Sequence, residues 1–118
     1  MSITTKSLET PDARRFFLDQ SRRDVVTLSS VAIGRGVYRP GWKWSVHVGP
    51  ISGTESQHHV GCVLSGCMVV RGADGREVLV GPGDAFEVSP GHDAWVVGEE
   101  PCVALDFAPF AERGSGRR

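Results

Sequence analysis

The chain has 118 residues and a formal net charge of -1, from 13 basic and 14 acidic side chains. This length suits one hydrophobic core and is too short for two ordinary domains. A net charge near zero excludes the positive field that nucleic acids and anionic lipid surfaces require, and no apolar stretch approaches the roughly 20 residues that span a bilayer. We therefore expect one domain without nucleic-acid or membrane partners, and the absence of a signal-peptide pattern predicts a cytoplasmic location.

The N-terminal residues 1–24 are mostly polar and charged, with Phe16, Phe17 and Leu18 as their apolar anchor. This composition predicts an arm that lies on the domain. Residues 25–110 form the predicted folded domain. The last residues, 111–118, have nothing to bury, so we predict a disordered tail.

Short runs rich in valine, aromatic and β-branched residues alternate with turn signals along the folded domain. The predicted strands are 25–33, 42–48, 58–64, 67–71, 77–80, 85–88, 94–97 and 102–107. Their connections contain glycine or proline, and Asp74-Gly75 is the strongest hairpin signal. The chain has 15 glycines and 7 prolines and lacks a helical repeat, which leaves no room for a long helix. The pattern predicts an all-β fold, either a sandwich or a closed barrel.

Two motifs in residues 39–107 resemble those of the cupins. Gly41 begins the first motif, which ends in Val63-Leu64-Ser65-Gly66, and the second is Gly81-Pro82-Gly83-Asp84-Ala85-Phe86 followed by Ser89-Pro90-Gly91-His92. The chain is similar in particular to small single-domain cupins of bacteria. The resemblance implies a double-stranded β-helix, the cupin jelly-roll barrel, and small cupins commonly pair. A surplus of aromatic and apolar residues over what one barrel encloses also predicts a homodimer.

The same resemblance implies a metal site with an altered set of ligands. Cupins usually hold a divalent metal with two histidines and a glutamate from the first motif and one histidine from the second. Here His47 fills the first histidine position and Gly49 the second, His59 replaces the glutamate, and Ala94 replaces the last histidine. His92 shares strand parity with Ala94, so its ring can supply the missing nitrogen, although a hydrogen-bonded turn histidine is an equal alternative.

The direction of His47 depends on which face of the predicted strand 42–48 turns inward. Alternation places Lys43, Ser45 and His47 on one face, and the tryptophans Trp42 and Trp44 on the other. The motif turns His47 inward, whereas the hydrophobic pattern turns the tryptophans inward and leaves His47 at the surface. We adopt the motif and expect His47 inside the barrel.

His58 and His59 are adjacent, so at most one of them enters the barrel, and the spacing to Gly66 selects His59. We predict a metal site of His47, His59 and His92, which suits zinc, iron, nickel or copper. A metal-free pocket, whose histidines bind or protonate a ligand, is the alternative. The residues predicted to line the pocket are Ser45, Glu55, Val63, Phe86 and Trp95.

Three classes of function are compatible with this pattern, because the cupin scaffold supports many chemistries. The first is a metal-dependent enzyme, such as a dioxygenase, isomerase or cyclase, that acts on a small organic molecule. The second is a small-molecule-binding or sensory module without turnover, and the third is a structural dimer. The three cysteines, Cys62, Cys67 and Cys102, are predicted to be reduced thiols, although a disulfide between Cys62 and Cys67 across their hairpin is conceivable.

Overall fold

The computed structural model describes residues 2–110, so the predicted tail at 111–118 lies outside the described residues. Within that range the regular structure is almost entirely strand, with two helices of four residues each. The all-β prediction is therefore confirmed. In chain order the elements are β1 (Ala13–Phe16), β2 (Arg22–Thr27), β3 (Val31–Tyr38), α1 (Trp44–His47), α2 (Gly49–Ser52), β4 (His59–Ser65), β5 (Cys67–Arg71), β6 (Glu77–Val80), β7 (Ala85–Val88), β8 (Asp93–Val97) and β9 (Cys102–Pro109).

The strands form two antiparallel sheets that enclose the core. The larger sheet has six strands in the order β1-β2-β3-β9-β4-β7, and the smaller has three in the order β6-β5-β8. An isolated bridge between Lys43 and Trp95 extends the smaller sheet beyond β8. From β4 onward the chain crosses repeatedly between the sheets, as in a jelly roll. β6 and β7 are edge strands of different sheets, so the barrel is open along the seam between them.

The N-terminal segment contributes strands to the larger sheet. β1 and the first residues of β2 lie within the predicted arm, and the expected boundary at residue 24 falls inside β2. The Asp24 carboxylate has no exposed surface, because three guanidinium groups cover it. They belong to Arg14, Arg22 and Arg35. Burial favours the neutral acid, but these hydrogen bonds outweigh it and lower the pKa of Asp24. The arm is thus fixed by backbone pairing and by an ion cluster.

The strand predicted at 42–48 is wrong, because this segment contains α1, and α2 follows directly after it. The backbone N–H groups of His47 and Val48 donate to the carbonyls of Lys43 and Trp44, which closes helical turns in place of a strand ladder. Pro50 lies in the first turn of α2, where it needs no hydrogen-bond partner. Gly53 ends the helix with φ 70°, a left-handed conformation that glycine adopts without steric cost.

The core lies between the two sheets and beneath this helical segment. Its buried residues are Phe17, Trp42, Val48, Val63, Met68, Val80, Ala94, Val96, Cys102 and Ala104. All three cysteines are free thiols, so the Cys62–Cys67 disulfide is not formed. Burial raises the pKa of the Cys102 thiol to about 11. No helix between residues 2 and 110 has the length and apolar character to cross a membrane.

Candidate functional site

Glycines on the inner face of the larger sheet make room for polar side chains. Gly34 is paired with Asp106 of β9, and a Cβ at Gly34 would lie 2.5 Å from Arg23 Nη2 and 2.8 Å from Asp106 Oδ1. Arg23 and Asp106 therefore meet over a position that has no side chain. Any larger residue at position 34 would separate them.

Two further glycines on this face accommodate aromatic rings. A Cβ at Gly36 would clash with the Tyr38 ring, and one at Gly61 would meet Phe86 at 3.0 Å as well as the Leu105 carbonyl. The Tyr38 and Phe86 rings consequently occupy space that a side chain at these two positions would fill. Burial raises the pKa of Tyr38 far above its ordinary value, so its hydroxyl keeps its proton.

The inner cavity is a space of about 70 Å³ between the two sheets. Trp42 and Trp44 border it from the helical segment, and His59 and His92 border it from β4 and from the turn before β8. The remaining wall is mostly apolar or aromatic. It consists of Tyr38, Met68, Val70, Phe86, Val88, Ala94, Ala104, Leu105 and Asp106.

The two imidazoles of the inner cavity contact each other edge to face. Their ring centroids lie 5.5 Å apart. His92 Nδ1 is 2.9 Å from the carbonyl of Ser89, and since a carbonyl only accepts, this nitrogen carries a hydrogen and donates it. In the neutral ring of His92, Nε2 is then a hydrogen-bond acceptor. His92 is held further by Ser56, whose hydroxyl donates to the His92 carbonyl.

The imidazole of His59 forms no hydrogen bond with residues 2–110, and the residue is half-buried at the cavity wall. Burial lowers its pKa, and the proximity of His92 acts in the same direction, while the carboxylate of Asp106 partly opposes both. His59 is therefore neutral at neutral pH, with one ring nitrogen available as a proton acceptor.

Arg23 and Asp106 form an ion pair at the edge of the inner cavity. Arg23 Nε donates to Asp106 Oδ2 at 3.1 Å and Nη2 donates to Oδ1 at 2.5 Å, so both carboxylate oxygens are engaged. The two side chains are 31% and 13% exposed. Burial disfavours the charged guanidinium, but the hydrogen bonds with Asp106 outweigh this and raise the pKa of Arg23. The Arg23 guanidinium therefore stays charged.

An outer cleft of about 250 Å³ lies next to the inner cavity. The two spaces share the walls Trp42, Trp44 and His59, so these side chains separate a small interior compartment from a larger one. The outer cleft is more polar. Its other lining residues are Arg15, Phe17, Arg23, Val48, Ser52, Thr54, Glu55, Ser56 and Gln57.

The structure brings together two of the three predicted metal ligands. His59 and His92 line the inner cavity. The inward direction expected for His47 is wrong: it ends α1, its Nδ1 accepts from the Lys43 N–H at 3.0 Å, and it borders neither the inner cavity nor the outer cleft. His58 points away, as predicted, and its Nε2 lies 2.9 Å from Glu87 at the surface.

The structure also places only some of the predicted pocket residues at the cavity or the cleft. Phe86 borders the inner cavity, Glu55 borders the outer cleft, and Val63 is fully packed in the core. Ser45 is at the surface, where its N–H and hydroxyl donate to Asp93, so its placement in the pocket is wrong. Trp95 is also misplaced.

The error at Trp95 follows from strand alternation. Ala94 faces the cavity, so Trp95 points to the other side of the smaller sheet, where Lys43 Nζ lies 5.0 Å from the centre of its ring. Sequence reasoning missed Arg23, Tyr38 and Asp106. On β9, Asp106 has the same parity as the buried Cys102 and Ala104, which indicates that it faces inward. The sequence does not show which strands pair with β9, so the contact with Arg23 could not be predicted.

The donor groups of the inner cavity do not fit a resident transition metal. No group of three or more histidine, cysteine, aspartate or glutamate side chains suited to a metal occurs in the described part of the chain. His59 and His92 supply two nitrogens, and the nearby Asp106 uses both oxygens to bind Arg23. Catalytic zinc sites commonly have three protein ligands.

Comparisons with solved structures identify the fold. No protein-family model matches the chain, and no curated protein matches its sequence. The polyketide cyclase RemF from Streptomyces resistomycificus superimposes with a TM-score of 0.64 at 18% identity, over 92% of this chain and 80% of RemF. KdgF from Halomonas sp. gives 0.55 at 20% identity, over 83% and 96%. A protein of unknown function from Rhizobium leguminosarum gives 0.59 at 22% identity, over 93% and 98%. These likenesses show a cupin-type fold and leave the activity open.

Proposed function

We propose that the protein binds a small organic molecule in the outer cleft, with its reactive end at the inner cavity, and that His59, which lines both spaces, exchanges a proton with it, a step that isomerases and cyclases use. The observation that carries this proposal is the His59–His92 pair, which borders a largely apolar cavity and in which the His59 ring forms no hydrogen bond with residues 2–110. The His59 ring is half-buried and lines both the inner cavity and the outer cleft, so a bound molecule can reach a ring nitrogen that no protein group occupies.

The proton transfer suits the state of the His59 ring. His59 is neutral because burial lowers its pKa, so it accepts a proton from an acidic carbon or hydroxyl group. His92, fixed by Ser89, presents an acceptor at Nε2 that can hold a hydroxyl of the same molecule. A carbonyl compound with an acidic neighbouring C–H is the substrate type that such a base activates. The relatives in fold include a polyketide cyclase, which is compatible with this chemistry.

Binding without turnover is the second candidate. Catalytic histidines are commonly oriented by a hydrogen-bonded third group, and Asp106, the carboxylate of this cavity, is instead bound on both oxygens by Arg23. This arrangement favours a binding module in which His59 only hydrogen-bonds its ligand.

Hydrogen–deuterium exchange at carbon separates the two candidates. The purified protein is added in D2O to acetophenone and phenylpyruvate, and the loss of each α-proton signal is followed by NMR. We expect the wild type to accelerate exchange of at least one compound, and His59→Gln to lower that rate about 100-fold, as is typical for loss of a general base.

His58→Gln is the matched control, because His58 is adjacent in sequence but exposed on the other side of β4. It should retain the wild-type rate. Equal exchange in wild type and His59→Gln would refute the role of His59. Saturable binding of these compounds without any exchange would favour the binding module.

A further inference from the structure

Two arginines face each other across the first strand pair and both line the outer cleft. Arg15 of β1 is directly opposite Arg23 of β2, so their side chains share one face of the sheet. The neighbouring pair, Arg14 and Asp24, faces the outer surface and forms a salt bridge of 2.7 Å. Like charges directly opposite one another destabilise an antiparallel pair. The cleft therefore holds two like charges side by side, with Arg15 exposed to solvent.

One carboxylate compensates only one of these two charges. Asp106 binds Arg23 through Nε and Nη2, which leaves Arg23 Nη1 without a partner among residues 2–110. The Arg15 guanidinium makes no salt bridge or hydrogen bond within the same range, and it lies 5.8 Å from the centre of the Phe17 ring. Glu55, the carboxylate that lines the cleft, forms no salt bridge with either arginine in the described chain, and its Oε1 lies beside Gly91.

The rest of the cleft wall selects the body of the ligand. Phe17, Trp42 and Val48 are buried apolar residues of this wall, and Trp44 packs against the same core. A molecule held here would place an apolar or flat group against these rings and direct it toward the inner cavity. Its other end would lie at the arginines, where a planar carboxylate can accept parallel N–H bonds from guanidinium groups.

We infer that the outer cleft recognises small organic carboxylates with an apolar body, and that Arg15 together with Arg23 binds the carboxylate. This inference rests on the proposed small-molecule function and specifies its ligand class. A monoanion matches the single uncompensated charge of the arginine pair.

Phenylacetate and phenylacetamide test it, because they have nearly the same shape and differ in charge. Binding is measured by tryptophan fluorescence, since Trp42 and Trp44 line the cleft, and by titration calorimetry. We expect the wild type to bind phenylacetate about tenfold more tightly than phenylacetamide, as one charge-assisted contact would give. Arg15→Gln should reduce this preference to about twofold or less, and Arg15→Lys should retain part of it.

Arg14→Gln is the matched control, because Arg14 is the adjacent residue and is bound to Asp24 on the other face. It should preserve the tenfold preference. Higher salt should weaken phenylacetate binding and leave phenylacetamide unchanged. Equal affinities for the two probes in the wild type, or a preference that survives Arg15→Gln, would overturn the carboxylate site while leaving the small-molecule cavity intact. Failure of both probes to bind at millimolar concentration would count against both proposals.

Discussion

At the scale of single residues, the site depends on positions where a side chain is missing. Arg23 and Asp106 approach each other over Gly34, and the ring of Tyr38 covers Gly36. Gly34 lies on an otherwise regular strand and has no positive φ. It is thus the close approach of neighbouring side chains, and not backbone conformation, that requires glycine there.

Gly34→Ala should therefore weaken the fold and displace the ion pair. The added Cβ would lie 2.5 Å from Arg23 Nη2 and 2.8 Å from Asp106 Oδ1, so both side chains must move. We expect a loss of about 1–3 kcal/mol in the free energy of unfolding, measured with urea. Gly81→Ala is the control, since its Cβ would meet only Cys67 Sγ, at 3.3 Å. Equal effects of the two substitutions would contradict the explanation.

The pH dependence of the site should follow His59. Burial lowers the pKa of His59 in the folded protein. At pH values between this folded pKa and the ordinary pKa of about 6.5, the imidazole is protonated in the unfolded chain and neutral in the folded chain. The contribution of His59 to the free energy of unfolding is fully present above about pH 6.5, decreases as the pH falls through this window, and is constant below the folded pKa.

NMR titration of the imidazole C2–H signals checks this prediction, with assignment from His59→Gln. We expect the midpoint of His59 to lie below about 6.5. Urea unfolding at several pH values should show the matching loss of stability, which His59→Gln should remove. A His59 midpoint above 6.5 would mean that Asp106 dominates over burial.

Sequence reasoning located part of the site at this scale. The choice of His59 over His58 was possible because strand parity and the distance to Gly66 are both local properties. Arg23 and Asp106 are separated by 83 positions, and their contact arises only from the order β2-β3-β9 in the larger sheet. No local pattern in either segment indicates that partner.

At the scale of elements, the segment after β3 differs most from expectation. Residues 42–48 alternate in polarity like a strand, yet the turn at Arg39–Trp42 and the contact of Ser45 with Asp93 lead into α1. A helix of four residues is too short for the spacing of its apolar residues to distinguish it from a strand. The helical path turns both Trp42 and Trp44 toward the core and removes His47 from it, so one local error changed the predicted ligand set.

Trp42 should be the most important side chain of this segment for stability. It is 4% exposed and its ring centre lies 4.3 Å from that of Tyr38. We expect Trp42→Ala to lower the free energy of unfolding by about 3–5 kcal/mol, as is typical for a buried aromatic residue. Trp95→Ala should cost less than half as much, because Trp95 is only half-buried and contacts Lys43 on the far face. Chemical denaturation of both variants measures the difference.

At the scale of the whole molecule, the homodimer stays a prediction. The edge strand β1 ends in Phe16, which is 54% exposed, and Leu18 beyond it is 57% exposed. Edge strands with exposed apolar residues are typical sites of pairing between copies. We expect light scattering at micromolar concentration to give the mass of a dimer, and Phe16→Lys combined with Leu18→Lys to shift it toward that of a monomer. An unchanged dimer in the double variant would exclude this edge as the interface.

The order of the strands also predicts how stability is distributed through the barrel. β9 is hydrogen-bonded on both sides, to β3 and to β4, whereas β6 has a partner on one side only and borders the open seam with β7. Three of the four residues of β6 are exposed, so opening this strand uncovers little apolar surface. Native-state hydrogen exchange should therefore give β9 amides opening free energies close to that of global unfolding, and β6 amides clearly lower ones. The Arg23–Asp106 pair links β2 to β9, so Asp106→Asn should reduce protection in β2 more than in β6. Protection in β6 equal to that in β9 would show that the seam does not divide the barrel.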